Sequence, residues 1–169
     1  MNHTLIIQEI QRNRNVFIDL LSDRAKEEYL WKPEPEKWCL LEIVCHLYDE
    51  EREDFRARLK QVLATPELAF PPIDPQAWVK ERNYLGQDYE SMLNLFSEER
   101  VLSVSWLESL TNPNWKNGYN HPKFGLLTAE MFLANWLEHD FLHLRQVLNL
   151  KHLFLKNRSG ESLTYAGNW

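Results

Sequence analysis

Thr128-Ala129-Glu130-Met131-Phe132-Leu133-Ala134-Asn135-Trp136-Leu137-Glu138-His139-Asp140-Phe141-Leu142-His143-Leu144-Arg145-Gln146-Val147-Leu148-Asn149-Leu150 is the stretch that decides the fold. Its large residues return at three- and four-residue steps, the period of an amphipathic α-helix. At about 100° per residue, Phe132, Trp136, His139, His143, Gln146 and Leu150 fall within one arc of about 80°. Thr128 stands where a side-chain oxygen caps a helix, and the helix is expected to run to about Leu155.

Three more helical stretches lie upstream. The first runs from about Thr4, a candidate cap, to Tyr29, with Ile6, Ile10, Phe17, Leu20 and Leu21 in helical spacing before Pro33 and Pro35. The second runs from about Leu40 to Ala64 and stops at Thr65-Pro66. The third spans about Gln87 to Leu110 and carries Leu95, Leu102, Trp106 and Leu110. Between the second and third lies Pro66 to Tyr84, with Pro71, Pro72 and Pro75, which reads as a long crossover. A loop from Asn112 to Gly125 precedes the last helix. The expectation is an all-α four-helix bundle forming one domain over residues 1–169. Short links predict that the first and second helices, and the third and fourth, are antiparallel neighbours. The crossover permits the second and third to be parallel. No segment alternates at period two for long enough to predict a sheet.

Composition narrows the function. The chain of 169 residues is 44% hydrophobic and 26% charged, enough for a core without disulfides. Lys and Arg number 19 against 25 Asp and Glu, a net charge of −6, which argues against nucleic-acid binding. No run of about 18 apolar residues spans a membrane, and Met1-Asn2-His3-Thr4 lacks a signal-peptide pattern, so a cytoplasmic location is expected. Cys39 and Cys45, on one helix, are separated by about 9 Å along its axis, too far for a disulfide. They read as small helix residues.

His139 and His143, four apart on a core-facing stripe, present two imidazoles about 6 Å apart at Cβ, the spacing with which helices offer paired nitrogens to one transition metal. Inside a core two charged imidazoles would repel, and a shared cation resolves this. His46, in Leu41-Glu42-Ile43-Val44-Cys45-His46-Leu47 on the second helix, is the candidate third ligand if the second and fourth helices pack. Glu50, one turn after His46, is a candidate to orient that imidazole or to act as a general base. Glu53 shares its face, within a charge-dense run that reads as surface. Gln146, one turn after His143, is a candidate to hydrogen-bond a ligand or substrate. Trp136, one turn before His139, reads as a pocket wall for a cofactor or as core. Asp140 points about 100° from His139 and is expected to cap or to pair with Arg145 or another helix. His121 is a possible fourth ligand from a loop. His3 and His152 read as surface residues, and Tyr165 and Trp169 as a tail able to dock across a partner subunit.

Two segments carry a family resemblance. Trp38-Cys39-Leu40-Leu41-Glu42-Ile43-Val44-Cys45-His46-Leu47-Tyr48-Asp49-Glu50-Glu51 is similar to a Trp-Ser-x-x-Glu-x-x-x-His-Leu-x-x-x-Glu segment. Glu138-His139-Asp140-Phe141-Leu142-His143-Leu144-Arg145-Gln146-Val147 is similar to a His-Asp-x-x-His-x-x-Gln-Ile helix end, and His121-Pro122-Lys123-Phe124-Gly125 to a His-Pro-x-Phe-Gly loop. Together they resemble the DinB-like superfamily, which includes bacillithiol- and mycothiol-dependent S-transferases. The resemblance implies an up-down-down-up bundle with a divalent metal held by His46, His139 and His143. It implies a metal-dependent enzyme in which a low-molecular-weight thiol attacks a small electrophile; a hydrolase with activated water would use the same ligands. Zinc or nickel suits imidazole donors. Cys39 departs from the usual hydroxyl residue and puts that helix cap in doubt. The alternative is a non-catalytic metal-binding, stress-related or interaction protein. A homodimer through the third helix, around Trp106, is expected in either case.

Overall fold

A computed structural model describes residues 1–169. The first long helix is α1 (His3–Leu21), followed by a one-turn α2 (Lys26–Tyr29). The second is α3 (Leu40–Glu50), a π-helical turn (Glu51–Phe55) and α4 (Arg56–Ala64) in unbroken succession. A short α5 (Pro75–Glu81) interrupts the crossover. The third and fourth long helices are α6 (Tyr89–Ser109) and α7 (Ala129–Ser159), separated by strands β1 (Gly118–His121) and β2 (Gly125–Thr128).

Contacts between helices give their directions. His3 meets Glu130 and Asn13 meets Asp140, so α1 and α7 are parallel. Tyr89 donates to the Leu21 carbonyl and Arg100 to that of Ile10, so α1 and α6 are antiparallel. Glu51 meets Arg100 and Arg56 meets Ser103, making the second and third helices parallel. His46 meets His143 while Glu51 meets Trp136, making the second and fourth antiparallel. The bundle is therefore up-down-down-up. The expected neighbours are corrected, however. α1 packs mainly on α6 and α7, and the second helix packs on the same two. The links over residues 22–39 and 110–128 are longer than the sequence reading expected, and they cross diagonals of the bundle.

Local chemistry explains the boundaries. Thr128 Oγ1 accepts from Met131 N at 3.2 Å, the predicted cap. Asn2, not Thr4, caps α1 by accepting from Leu5 N. The predicted first helix breaks at Ser22, because Asp23 turns into the left-handed region at φ 56°, where a short polar side chain is tolerated. At α3, Glu42 Oε2 accepts from Cys39 N at 2.9 Å, the carboxylate half of a capping box in which Cys39 stands at the N-cap. At α5 the N-cap side chain itself does the capping: Asp74 Oδ1 accepts from Ala77 N at 3.0 Å, with Pro75 at the first helical position. The small antiparallel sheet, absent from the sequence expectation, pairs only Gly118–His121 with Gly125–Thr128. Four residues per strand are too few to leave a period-two signature.

The core is split. One apolar cluster holds Phe17, Leu21, Ile43, Phe96, Val147 and Leu150. The other holds Ile10, Phe55, Leu59, Val104, Leu133 and Trp136. Between them every long helix contributes polar residues: Asn13; His46, Asp49, Glu50 and Glu51; Arg100; and His139, Asp140 and His143. This buried polar layer is where the site lies.

Candidate metal centre

α3 and α7 bring three imidazoles to one point. His46 Nε2 lies 3.2 Å from His139 Nε2, and His143 Nε2 lies 3.1 Å from the same atom. Tetrahedral metal–imidazole bonds of about 2.0–2.1 Å place neighbouring nitrogens roughly 3.3 Å apart; the two pairs that share His139 have this spacing, and all three donor atoms lie within 4.8 Å of one another, a cluster of the size that gathers around a single ion. His46 and His143 are 5% and 9% exposed. Burial lowers the pKa of all three: that of His46 falls to about 3, His139 goes well below the usual range, and His143 falls too. His143 lowers His46 further; His143, His46 and Arg100 do so for His139. Three neutral imidazoles aiming lone pairs at one another are mutually repulsive unless a cation lies between them.

The surroundings fix the donor atoms. Gln146 Oε1 lies 2.8 Å from His143 Nδ1. That contact places the His143 proton on Nδ1 and leaves Nε2 free as a donor. His46 Nδ1 is buried without a partner. The Trp38 ring lies 4.8 Å from His46 and the Phe55 ring 4.9 Å from His139, giving the centre apolar walls. Replacing Gln146 with Ala is expected to weaken metal affinity about 10- to 100-fold with the fold unchanged. Competition with a chromophoric chelator measures it, and unchanged affinity would remove Gln146 from this role.

The remaining sequence candidates are placed elsewhere. Trp136 is 1% exposed, donates to Glu51 Oε2 at 3.0 Å and stacks on Phe55. It therefore packs in the core and offers no face to a cofactor, which corrects the pocket-wall expectation. Asp140 pairs with another helix, not with Arg145: both its oxygens lie 2.7 Å from Arg100 nitrogens. His121 Nδ1 accepts from Lys123 N and Phe124 N, so it organises its own turn. Glu53 forms two bonds to Arg82, whose hydrogen bonds lower its pKa against the opposing effect of burial. Burial pushes the Cys39 and Cys45 thiols up to about 11 and 12, and neither joins the cluster. His3 stacks on Trp115 and His152 on Trp169. Trp169 thus docks on its own chain, while Tyr165 is fully exposed. Glu50, four residues after His46, is buried, and no carboxylate is part of the cluster.

Sequence reading missed the support beneath the centre. Arg100 is 1% exposed and donates to Glu51 Oε1 at 2.9 Å, to Asp140 and to the Ile10 carbonyl. Asn13 Nδ2 donates to Asp140 Oδ2 at 3.1 Å. Asp140 follows His139 directly, so this network anchors α7 at the level of the ligands. Nothing in the spacing of Arg100 or Asn13 marks them as buried.

The model of the DinB superfamily matches residues 9–147. YfiT of Bacillus subtilis (strain 168) is 26% identical over 114 residues, 67% of this chain; the match spans 64% of the length of that curated relative. A solved structure of YfiT, described as a probable metal-dependent hydrolase with an unusual four-helix bundle topology, superposes with a TM-score of 0.78. It is 22% identical and covers 95% of this chain and 89% of its own.

Proposed function

Because the chain belongs to the DinB superfamily, we propose that its histidine centre holds a divalent metal ion and that the protein is a metal-dependent hydrolase acting on a small molecule. The observation that carries this reading is the convergence of three neutral Nε2 atoms within one ion's reach. The description of YfiT as a probable metal-dependent hydrolase supports it. When bound, the ion supplies Lewis acidity, polarising a substrate oxygen and easing deprotonation of a nucleophile. Three protein ligands leave coordination room, as catalytic sites do and structural ones do not. Imidazole donors suit zinc or nickel.

The chain's own residues supply the rest. His46, His139 and His143 hold the ion, and Gln146 fixes the tautomer of His143. Trp38 and Phe55 exclude water from the ligand rings, which strengthens charge interactions there. Glu50 exchanges a proton with the reacting group. Small-molecule chemistry of this kind fits a cytoplasmic protein, and Leu95, Val101 and Leu102 on α6 expose apolar surface suited to a homodimer. No helix is long and apolar enough to cross a membrane.

Metal-stripped protein is expected to lose hydrolysis of activated ester and amide substrates, and zinc or nickel to restore it. Equal rates with and without metal would overturn the reading. Turnover only when a low-molecular-weight thiol is present would replace the hydrolase with an S-transferase on the same ligands. Absence of turnover with metal bound would leave a non-catalytic metal-binding protein.

A further inference from the structure

A hollow of about 530 Å³ lies beside the histidine centre, lined by Leu142, His143, Arg145, Gln146, Asn149 and Trp169. That is the size of a small-molecule site. His143 belongs to both places: it lines the hollow, and its Nε2 stands 3.1 Å from His139 Nε2. A larger hollow of about 680 Å³, beside Met1, His3 and Trp115, contains none of the three ligands and carries an acid, Glu108.

The polar groups left unengaged on these walls are donors. Gln146 Oε1 is held 2.8 Å from His143 Nδ1, so its free group is the Nε2 amide nitrogen. Asn149 Oδ1 accepts from Trp169 Nε1 at 3.1 Å, which likewise leaves Nδ2. Nine of the ten arginines in the chain donate to a carboxylate or a carbonyl. Arg145 is the tenth. It is exposed, and Asp140, the nearest acid before it on α7, is held by Arg100. No acidic side chain lines the hollow. The three imidazoles bring no negative charge to offset that of a bound ion. In a chain of net charge −6 this is a locally cationic cavity. Trp169 stacks on His152 with ring centres 4.6 Å apart yet is 72% exposed, so one indole face stays open.

We propose that this hollow is the substrate subsite of the centre and takes a small organic carboxylate with an apolar or aromatic body, a reading that rests on the hydrolytic function proposed above. Arg145 receives the carboxylate on its guanidinium fork, and the Gln146 and Asn149 amides complete the donor set. Leu142 and the open face of Trp169 cover the apolar body. One guanidinium with two amides matches the single charge of a carboxylate. No lysine lines the hollow to balance the second charge of a phosphate.

NMR titration of the full-length, zinc-dialysed protein with 3-phenylpropionate tests this without reference to turnover. The Trp169 indole N–H signal, assigned by its loss in Trp169→Phe, is expected to shift saturably. The uncharged 3-phenylpropionamide is expected to bind at least about 10-fold more weakly, and Arg145→Gln to weaken binding of the acid by a similar factor, because each removes a charge-assisted hydrogen bond. Arg145→Lys is expected to recover part of that loss. Arg158→Gln, which removes a cation from the same helix outside the hollow, is expected to leave the affinity unchanged. Backbone amide spectra report whether each variant stays folded. No saturable Trp169 shift, equal affinity for acid and amide, or full affinity in folded Arg145→Gln would overturn the subsite. Zinc content of the same samples separates the two readings. Zinc bound without the Arg145-dependent shift overturns the subsite alone, whereas that shift in protein that takes up no zinc overturns the metal centre and leaves the carboxylate site standing.

Discussion

Replacing Arg100 with Leu is expected to lower stability by about 3–5 kcal/mol, because it leaves Asp140 and Glu51 as uncompensated carboxylates out of water. For a chain of this length that corresponds to a fall in melting temperature of very roughly 10–15 °C. Arg100 also donates to the Ile10 carbonyl, so the substitution frees an acceptor on α1 as well. Arg12→Ala, by contrast, removes an exposed pair with Glu9 and is expected to cost no more than about 0.5 kcal/mol. Neutralising one orphan, in Arg100→Leu with Asp140→Asn, is expected to recover part of the loss. Thermal and urea denaturation read all three. A shift for Arg100→Leu as small as that for Arg12→Ala would mean the buried network does not hold α1, α6 and α7 together.

The network and the site differ in how far they could be read from residues alone. The i, i+4 histidines on α7 announce themselves, because a polar pair on an otherwise apolar stripe violates the amphipathic pattern. The cap at Thr128 and the limits Leu40 and Ala64 of the second helix were legible for similar local reasons. The π turn was not. It has no compositional signature, and without it the run Asp49-Glu50-Glu51-Arg52-Glu53-Asp54 reads as a solvated face. In the structure Asp49, Glu50 and Glu51 are buried where α3 runs into that turn, each at 4% exposure or less. Asn13 and Arg100 look like surface residues because one polar side chain per helix carries no periodic signal. Their burial appears only when four helices bring such residues to one level. The diagonal links were hidden for another reason: link length limits how far apart two helix ends lie, but not which faces pack.

Loss of one histidine should have the largest effect on the metal. His139 Nε2 lies within 3.2 Å of both other donors, so it is the central atom of the set. His139→Ala is expected to reduce metal affinity by more than roughly 100-fold, since loss even of an outer partner of a ligand costs about 10- to 100-fold. The imidazole is uncharged and only partly packed, so the fold should survive, with stability changed far less than by Arg100→Leu. Metal content after dialysis against micromolar zinc should fall from about one ion per chain to near zero. Full occupancy in this variant would remove His139 from the ligand set.

The most direct measurement is a crystal structure of zinc-soaked protein with anomalous data collected on both sides of the zinc edge. One anomalous peak is expected per chain, about 2.0–2.1 Å from the Nε2 atoms of His46, His139 and His143. A map with no peak among these imidazoles, or with its peak at other side chains, would contradict the account.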